Sequence, residues 1–152
     1  MSMAAANRSE DAVALLLQLE GVDYNSVDAS GQTALMKAAK RGHYRIVALL
    51  LGVEGVDYNC VDYRGQTTLV KAAHRGWEEI VAMLLKLEGV DCNCVDAQGQ
   101  TVLILAAQKG WMDIVTMLLK LGGININYRD NQGKTALAHA ISRCRVQITE
   151  AL

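Results

Sequence analysis

The chain has 152 residues, of which 51% are hydrophobic and 20% charged, with a formal net charge of -1 and neither proline nor phenylalanine. This length fits one domain, and the aliphatic content is too high for an intrinsically disordered chain. The 15 Lys and Arg nearly balance the 16 Asp and Glu, so the overall charge gives no reason to expect a nucleic-acid binder or a polybasic membrane binder.

The N-terminal residues 1–6 lack the basic and long apolar regions of a secretory signal, and no stretch approaches the roughly 18 uninterrupted apolar residues of a membrane span. We therefore expect no membrane span and an intracellular protein, cytoplasmic or nuclear. A chain able to build its own core has no need of a disulfide framework, so we expect reduced, structural cysteines at positions 60, 92, 94 and 144.

A five-residue segment recurs along the chain at a spacing of 34 residues. It reads Gly-Val-Asp-Tyr-Asn from Gly21 and Gly55, Gly-Val-Asp-Cys-Asn from Gly89, and Gly-Ile-Asn-Ile-Asn from Gly123. A fixed period of about 20 to 50 residues indicates a solenoid, in which each unit buries its apolar face against its neighbours. We divide this single repeat domain, 1–152, into a partial N-terminal repeat (1–20), three full repeats (21–54, 55–88 and 89–122) and a C-terminal repeat that is truncated or capping (123–152).

Each unit is predicted to contain a turn, a helix, a second turn and a second helix. In the first full repeat, Asp28 and Gly31 stand at the first and fourth positions of a type I turn. Thr33 is predicted to cap the first helix, and Gly42 to end it by adopting positive φ. Where the other repeats have this glycine the last repeat has Cys144, so we expect a looser turn there.

The segment from Gly31 to Leu51, G-Q-T-A-L-M-K-A-A-K-R-G-H-Y-R-I-V-A-L-L-L, resembles the ankyrin repeat. The resemblance recurs at 65–85 and 99–119, and more weakly at 133–152. It implies an all-α repeat solenoid, an ankyrin-type stack of helix-turn-helix units with short β-hairpin tips. It also implies a non-enzymatic protein-protein interaction module or scaffold, which holds its partner on a concave surface formed by the hairpin tips and the first helices.

No pattern in the sequence indicates catalysis. The three histidines occupy three different repeat positions, and the glycines follow the repeat instead of forming a phosphate-binding loop. Cys92-Asn93-Cys94 suggests a metal site, but no second cysteine or histidine pair is evident to complete four ligands. We expect no catalytic residue, no metal and no cofactor, and we assign a structural role to one turn aspartate copied in each repeat: Asp28, Asp62, Asp96 and Asp130.

Cations collect at the variable positions of the first helices and hairpin tips. These positions hold no acid and nine Lys or Arg: Lys37, Lys40, Arg41, Arg64, Lys71, Arg75, Lys109, Lys134 and Arg143. We predict that the groove binds an acidic or phosphorylated protein segment, with arginine and tyrosine as the leading anchors. The predicted partner-binding residues are Lys37, Lys40, Arg41, Tyr63, Arg64, Lys71, His74, Arg75 and Lys109.

Three other interpretations of these cations stay open. They could form an ordinary solvated helix face, as polar first helices often do. The chain could regulate or inhibit an enzyme by docking on it. The same groove could capture a polyanion, RNA or lipid headgroups, although the net charge makes nucleic acid the weakest of these hypotheses. We expect a monomer.

The resemblance also suggests a modification. Asn25, Asn59 and Asn93 each follow an acid two residues earlier and a leucine eight residues earlier. In these features they are similar to the hairpin asparagines that an asparaginyl hydroxylase modifies in some ankyrin proteins. The alternative is that each asparagine side chain satisfies the hairpin backbone.

Overall fold

The computed structural model describes residues 10–16 and 21–152. Of the partial repeat predicted for 1–20, only 10–16 lie within the described part, and these residues are helical (α1). Two helices follow in each of the four subsequent repeats, as predicted. Their bounds are α2 Ala34–Arg41, α3 Tyr44–Leu51, α4 Thr68–Arg75, α5 Glu78–Leu84, α6 Val102–Lys109, α7 Met112–Leu119, α8 Ala136–Ser142 and α9 Val146–Ala151.

The first helix of each repeat begins at a threonine cap. Thr33 is extended at φ -75° and ψ 167°, and its Oγ1 accepts a hydrogen bond from the backbone N–H of Met36 at 3.2 Å. This bond satisfies one of the donors that the first turn of a helix leaves free. The predicted cap is confirmed, and the same geometry recurs at Thr67, Thr101 and Thr135.

A left-handed glycine ends the first helix in three of the repeats. Gly42 has φ 76°, and its N–H bonds back to the carbonyls of Ala38 and Ala39. A Cβ at this position would come within 2.7 Å of the Trp77 ring of the next repeat, so glycine serves both the turn and the packing between repeats. The Trp77 indole N–H donates to the carbonyl of Lys40 at 3.4 Å, which joins the two repeats further.

The last repeat keeps this turn without glycine. Cys144 itself adopts the left-handed region at φ 54°, and α8 ends at Ser142 with Arg143 as its C-cap. The backbone path is therefore preserved and a non-glycine residue bears the strain, where the sequence had predicted a looser turn.

The hairpin tips are turns with almost no strand character. At the first tip, the N–H of Asp28 bonds to the carbonyl of Gln32 at 3.1 Å, and the N–H of Gly31 bonds to the carbonyl of Asp28 at 2.9 Å. Each arm of the hairpin tip is too short to form a ladder of β-sheet hydrogen bonds. Within 10–16 and 21–152, the only strand-like pairing is an isolated antiparallel bridge between Val95 and Thr101.

The core runs continuously between the repeats. The first helices pack in the order α2, α4, α6, α8, and the second helices in the order α3, α5, α7, α9. Each repeat gives equivalent buried residues to this core, and Leu35, Leu69 and Leu103 are at most 2% exposed. Full burial of each such leucine contributes about 1.5–3 kcal/mol. The equivalent Leu137 is 38% exposed because no described repeat follows it.

Candidate partner-binding surface

The turn aspartates hold the hairpin tips together. Asp28 Oδ1 accepts the backbone N–H groups of Ser30 at 2.8 Å and Gln32 at 3.0 Å, and the equivalent bonds recur at Asp62, Asp96 and Asp130. The bond from Gln32, followed by that from Lys37, lowers the pKa of Asp28 to about 2. The structural role predicted for these aspartates is confirmed.

The residue nine positions after each aspartate determines what the second carboxylate oxygen contacts. In the first full repeat this residue is Lys37, whose ammonium lies 2.9 Å from Asp28 Oδ2 with both side chains partly solvated. In the third it is Leu105, which offers Asp96 no bond. In the last repeat, His139 Nε2 lies 2.7 Å from Asp130 Oδ2, and both side chains are buried.

In the second repeat the same position forms a buried ion pair. Lys71 Nζ donates to Asp62 Oδ2 and, at 3.3 Å, to Gln66 Oε1, and the two charged side chains are 3% and 1% exposed. Burial by itself raises the pKa of Asp62, but the hydrogen bonds from Lys71 and from the N–H groups of Gln66 and Arg64 outweigh it and lower this pKa. The ammonium of Lys71 is therefore buried and already paired, although the residue also borders the cleft described below. That Lys71 contacts a partner stays a prediction.

Five of the other predicted cations are exposed. Lys40, Arg41, Arg64, Arg75 and Lys109 are exposed and make no ion pair with any described residue. Together with Lys37, Tyr63 and His74 they form what we call the basic surface. Of the nine predicted partner-binding residues, the structure therefore leaves eight on the surface and takes Lys71 into the protein interior.

The centre of the basic surface is a cleft of about 560 Å³ between the first two full repeats. Lys40 lines it from α2, His74 and Arg75 from α4, and Tyr63 and Arg64 from the hairpin tip. The carboxylate of Asp62 also borders this cleft, a feature that the sequence analysis missed. The signal was present, since an aspartate and a lysine nine residues apart recur in two repeats, but the spacing alone does not show that they touch.

Two further side chains shape this cleft. Tyr63 is 77% exposed, and its ring lies against Gly31, where a Cβ would come within 2.8 Å. Burial, and then the charges of Lys109 and Arg75, lower the pKa of His74. His74 therefore holds a proton less readily than an ordinary histidine does.

The predicted hydroxylation asparagines join successive repeats. Asn25 Nδ2 donates to the carbonyl of Gly55 at 2.8 Å, and its Oδ1 accepts the N–H of Asp57 at 2.8 Å. Asn59 and Asn93 repeat both bonds one and two repeats later. Both ends of each amide are thus used by the hairpin backbone. The suggested hydroxylation stays a prediction.

The thiols of three of the four cysteines have raised pKa values. Burial, together with the hydrogen bond from Cys60 Sγ–H to Asp57 Oδ2 at 3.1 Å, raises the pKa of the Cys60 thiol to about 11. Burial also raises the pKa of Cys92 and Cys94. Thiols with raised pKa values are poor nucleophiles. Across the described ranges, no group of three or more His, Cys, Asp or Glu is arranged to hold a metal ion.

The fold agrees with the comparison with known families. A family description, ankyrin repeats in three copies, matches residues 1–94 and 69–152, so the chain belongs to the ankyrin repeat family. Ankyrin repeats are generally non-enzymatic modules that bind other proteins. No curated protein matches the chain. Within the described residues, the helices are too short to cross a membrane.

Proposed function

We propose that the chain binds an acidic or phosphorylated segment of a partner protein on the basic surface. The observation that carries this proposal is the charge balance of the cleft. Its one buried carboxylate, Asp62, is neutralised by Lys71, whereas Lys40, Arg64 and Arg75 around it have no acidic partner among the described residues. The cleft therefore retains a net positive charge that a bound anion would balance.

The kinds of residue at the cleft favour protein recognition. Arginine forms paired hydrogen bonds with carboxylates and phosphates, and arginine and tyrosine often supply most of the binding free energy at interfaces. Arg64, Arg75 and the exposed Tyr63 meet at this cleft. A tyrosine ring supported by the backbone at Gly31 offers contact area with little loss of side-chain freedom on binding.

A charge-reversal experiment tests the proposal. Arg41→Glu combined with Arg75→Glu reverses two cations one repeat apart on the basic surface. Lys86→Glu combined with Lys120→Glu is the matched control, since these exposed lysines are also one repeat apart but follow the second helices. The probe is a fluorescein-labelled peptide of about ten residues, either glutamate-rich or with phosphoserines in place of the glutamates, measured by fluorescence anisotropy.

We expect the first variant to weaken binding of either peptide at least tenfold, about 1.4 kcal/mol, and the control to weaken it far less. Circular dichroism should show the same helix content in both. An equal loss in the two variants would show that only net charge matters, and undiminished binding by the first would contradict the proposal. Equal affinity for single-stranded RNA or phosphatidylserine vesicles, lost smoothly with added salt, would favour polyanion capture instead.

A further inference from the structure

Three cations of the basic surface occupy one repeat position. Arg41, Arg75 and Lys109 are the last residues of α2, α4 and α6. All three are exposed, and none forms an ion pair within 10–16 and 21–152. A positive residue at a helix C-terminus is favoured by the helix dipole, but that effect does not require the three side chains to lack an ion-pair partner. We call these residues the cation row.

The packing of the repeats sets the spacing of the cation row. Helix α4 packs against α2 on one side and α6 on the other, and packed helices lie about 8–10 Å apart. Arg41 and Arg75 line a single cavity of about 470 Å³ together with Lys40 and the ion pair of Lys37 with Asp28. Lys109 lies close enough to His74, in the preceding repeat, for its charge to lower the pKa of His74. The helices that carry these cations are therefore expected to lie about 8–10 Å apart, with one cation of the row on each helix.

Chain geometry decides which partner conformation matches this spacing. A polyproline II segment rises about 3.1 Å per residue with three residues per turn, so every third side chain lies on one side, about 9 Å from the last. In a β-strand, side chains on one face are instead about 6.6 or 13 Å apart, because successive residues alternate between faces. Of these two extended conformations, only polyproline II presents one side chain to each cation.

The walls of the cleft favour a narrow partner. The cleft at the centre of the basic surface is bounded by the hairpin tip at Tyr63 and Arg64 and by His74 and Arg75 of α4. An α-helix with its side chains is at least about 10 Å in diameter, whereas an extended chain is narrower.

We infer that the partner segment crosses the repeats in a polyproline II conformation and carries an anionic side chain at every third residue, facing Arg41, Arg75 and Lys109 in turn. This inference rests on the proposed function, and it specifies a sequence pattern where the proposed function requires only negative charge. Carboxylate and phosphate side chains both supply the required anion.

Peptides of identical composition and different order test the inference. Each has three glutamates in a neutral host of about ten residues, spaced by two, three or four positions, and a second set has phosphoserine in place of glutamate. A longer helix-forming peptide carries its glutamates every seven residues, which is about 10 Å along an α-helix. Anisotropy titrations are made near physiological salt, where charges more than about 8 Å apart are largely screened and register matters most.

We expect the three-residue spacing to bind about tenfold more tightly than the two other spacings and than the helical peptide. Equal affinities for all spacings would overturn the inference and leave the proposed function standing, since charge alone would then suffice. Tighter binding of the helical peptide would overturn it in favour of a helical partner. If no peptide of either set binds, both the inference and the proposed function are wrong.

A single substitution identifies the residues that read the spacing. Arg75→Gln removes the middle of the cation row and should abolish the preference for the three-residue spacing, so that all isomers bind alike. Lys86→Gln removes one exposed charge after a second helix and should keep the full preference. If Arg75→Gln keeps the tenfold preference for the three-residue spacing, the cation row does not determine that preference and the inference fails.

Discussion

Replacing Lys71 by leucine removes the one cation bonded to the buried carboxylate of Asp62. The change also makes the second repeat resemble the third, where Leu105 stands at the equivalent position beside Asp96. Breaking a buried ion pair by removing one partner costs about 3–5 kcal/mol. Asp62 keeps its two backbone N–H bonds, and the third repeat accommodates leucine, so we expect the low end, a loss of about 3 kcal/mol in the free energy of unfolding.

The matched control is Lys37→Leu. It makes the same substitution at the same repeat position and removes a bond to the equivalent aspartate, but this pair is solvated. In thermal unfolding followed by circular dichroism, a loss of about 3 kcal/mol corresponds to about 6–12 °C in a chain of this size. Lys37→Leu should shift the midpoint far less, because exposed ion pairs contribute little. Equal shifts in the two variants would refute the argument that burial makes the Lys71 bond strong.

The pH dependence gives a second readout of the same pair. Because the pKa of Asp62 is lowered in the folded protein, the stability from its charged form is fully present above the ordinary carboxyl pKa of about 3.9 and is lost as the pH falls through the lowered value. Without Lys71, burial raises the pKa of Asp62 relative to the wild type. The stability difference between the wild type and Lys71→Leu should therefore be largest at neutral pH and narrow below about pH 4.

Three further predictions concern single positions. Asn59→Ala removes two hydrogen bonds to the next repeat and should lower the free energy of unfolding by about 1–3 kcal/mol, measured by urea unfolding. The control is Asn127→Ala, at the same repeat position. The Asn127 side chain has no bonded partner among the described residues, so this substitution should change the free energy of unfolding almost not at all. Cys144→Gly relieves the positive φ and should stabilise the protein by about 0.5–1 kcal/mol, but Cys144→Ala should not; a loss with glycine would show that the turn is unstrained. Treatment with an asparaginyl hydroxylase should add the mass of one oxygen atom per modified asparagine in intact-mass analysis, and an unchanged mass would count against modification at any of Asn25, Asn59 and Asn93.

Much of the fold followed from the sequence because its determinants are local and repeated. Thr33 and Met36 are three residues apart, so the cap depends only on one helical turn. Gly42 ends a helix through its own backbone freedom, and Asp28 closes a turn of five residues. The same local solutions recur every 34 residues, and that repetition made the order of the helices predictable. The turn at Cys144 was misjudged because hydrogen bonds keep its path without glycine. The N–H groups of Cys144 and Arg145 bond back to the carbonyls of Ile141 and Ala140 at 3.0 and 2.9 Å. The Arg145 side chain also donates to the carbonyl of Lys109 in the preceding repeat.

The sequence by itself determined the family, the helix pairs and the row of cations, because each depends on the repeat period. Only the tertiary structure decided which cations remain free. Lys37 and Lys71 occupy the same repeat position and bond to equivalent aspartates, yet one pair is partly solvated and the other is buried. In the second of these repeats, α4 lies packed between α2 and α6. Burial depends on residues distant in the chain, which the period of a single repeat does not specify.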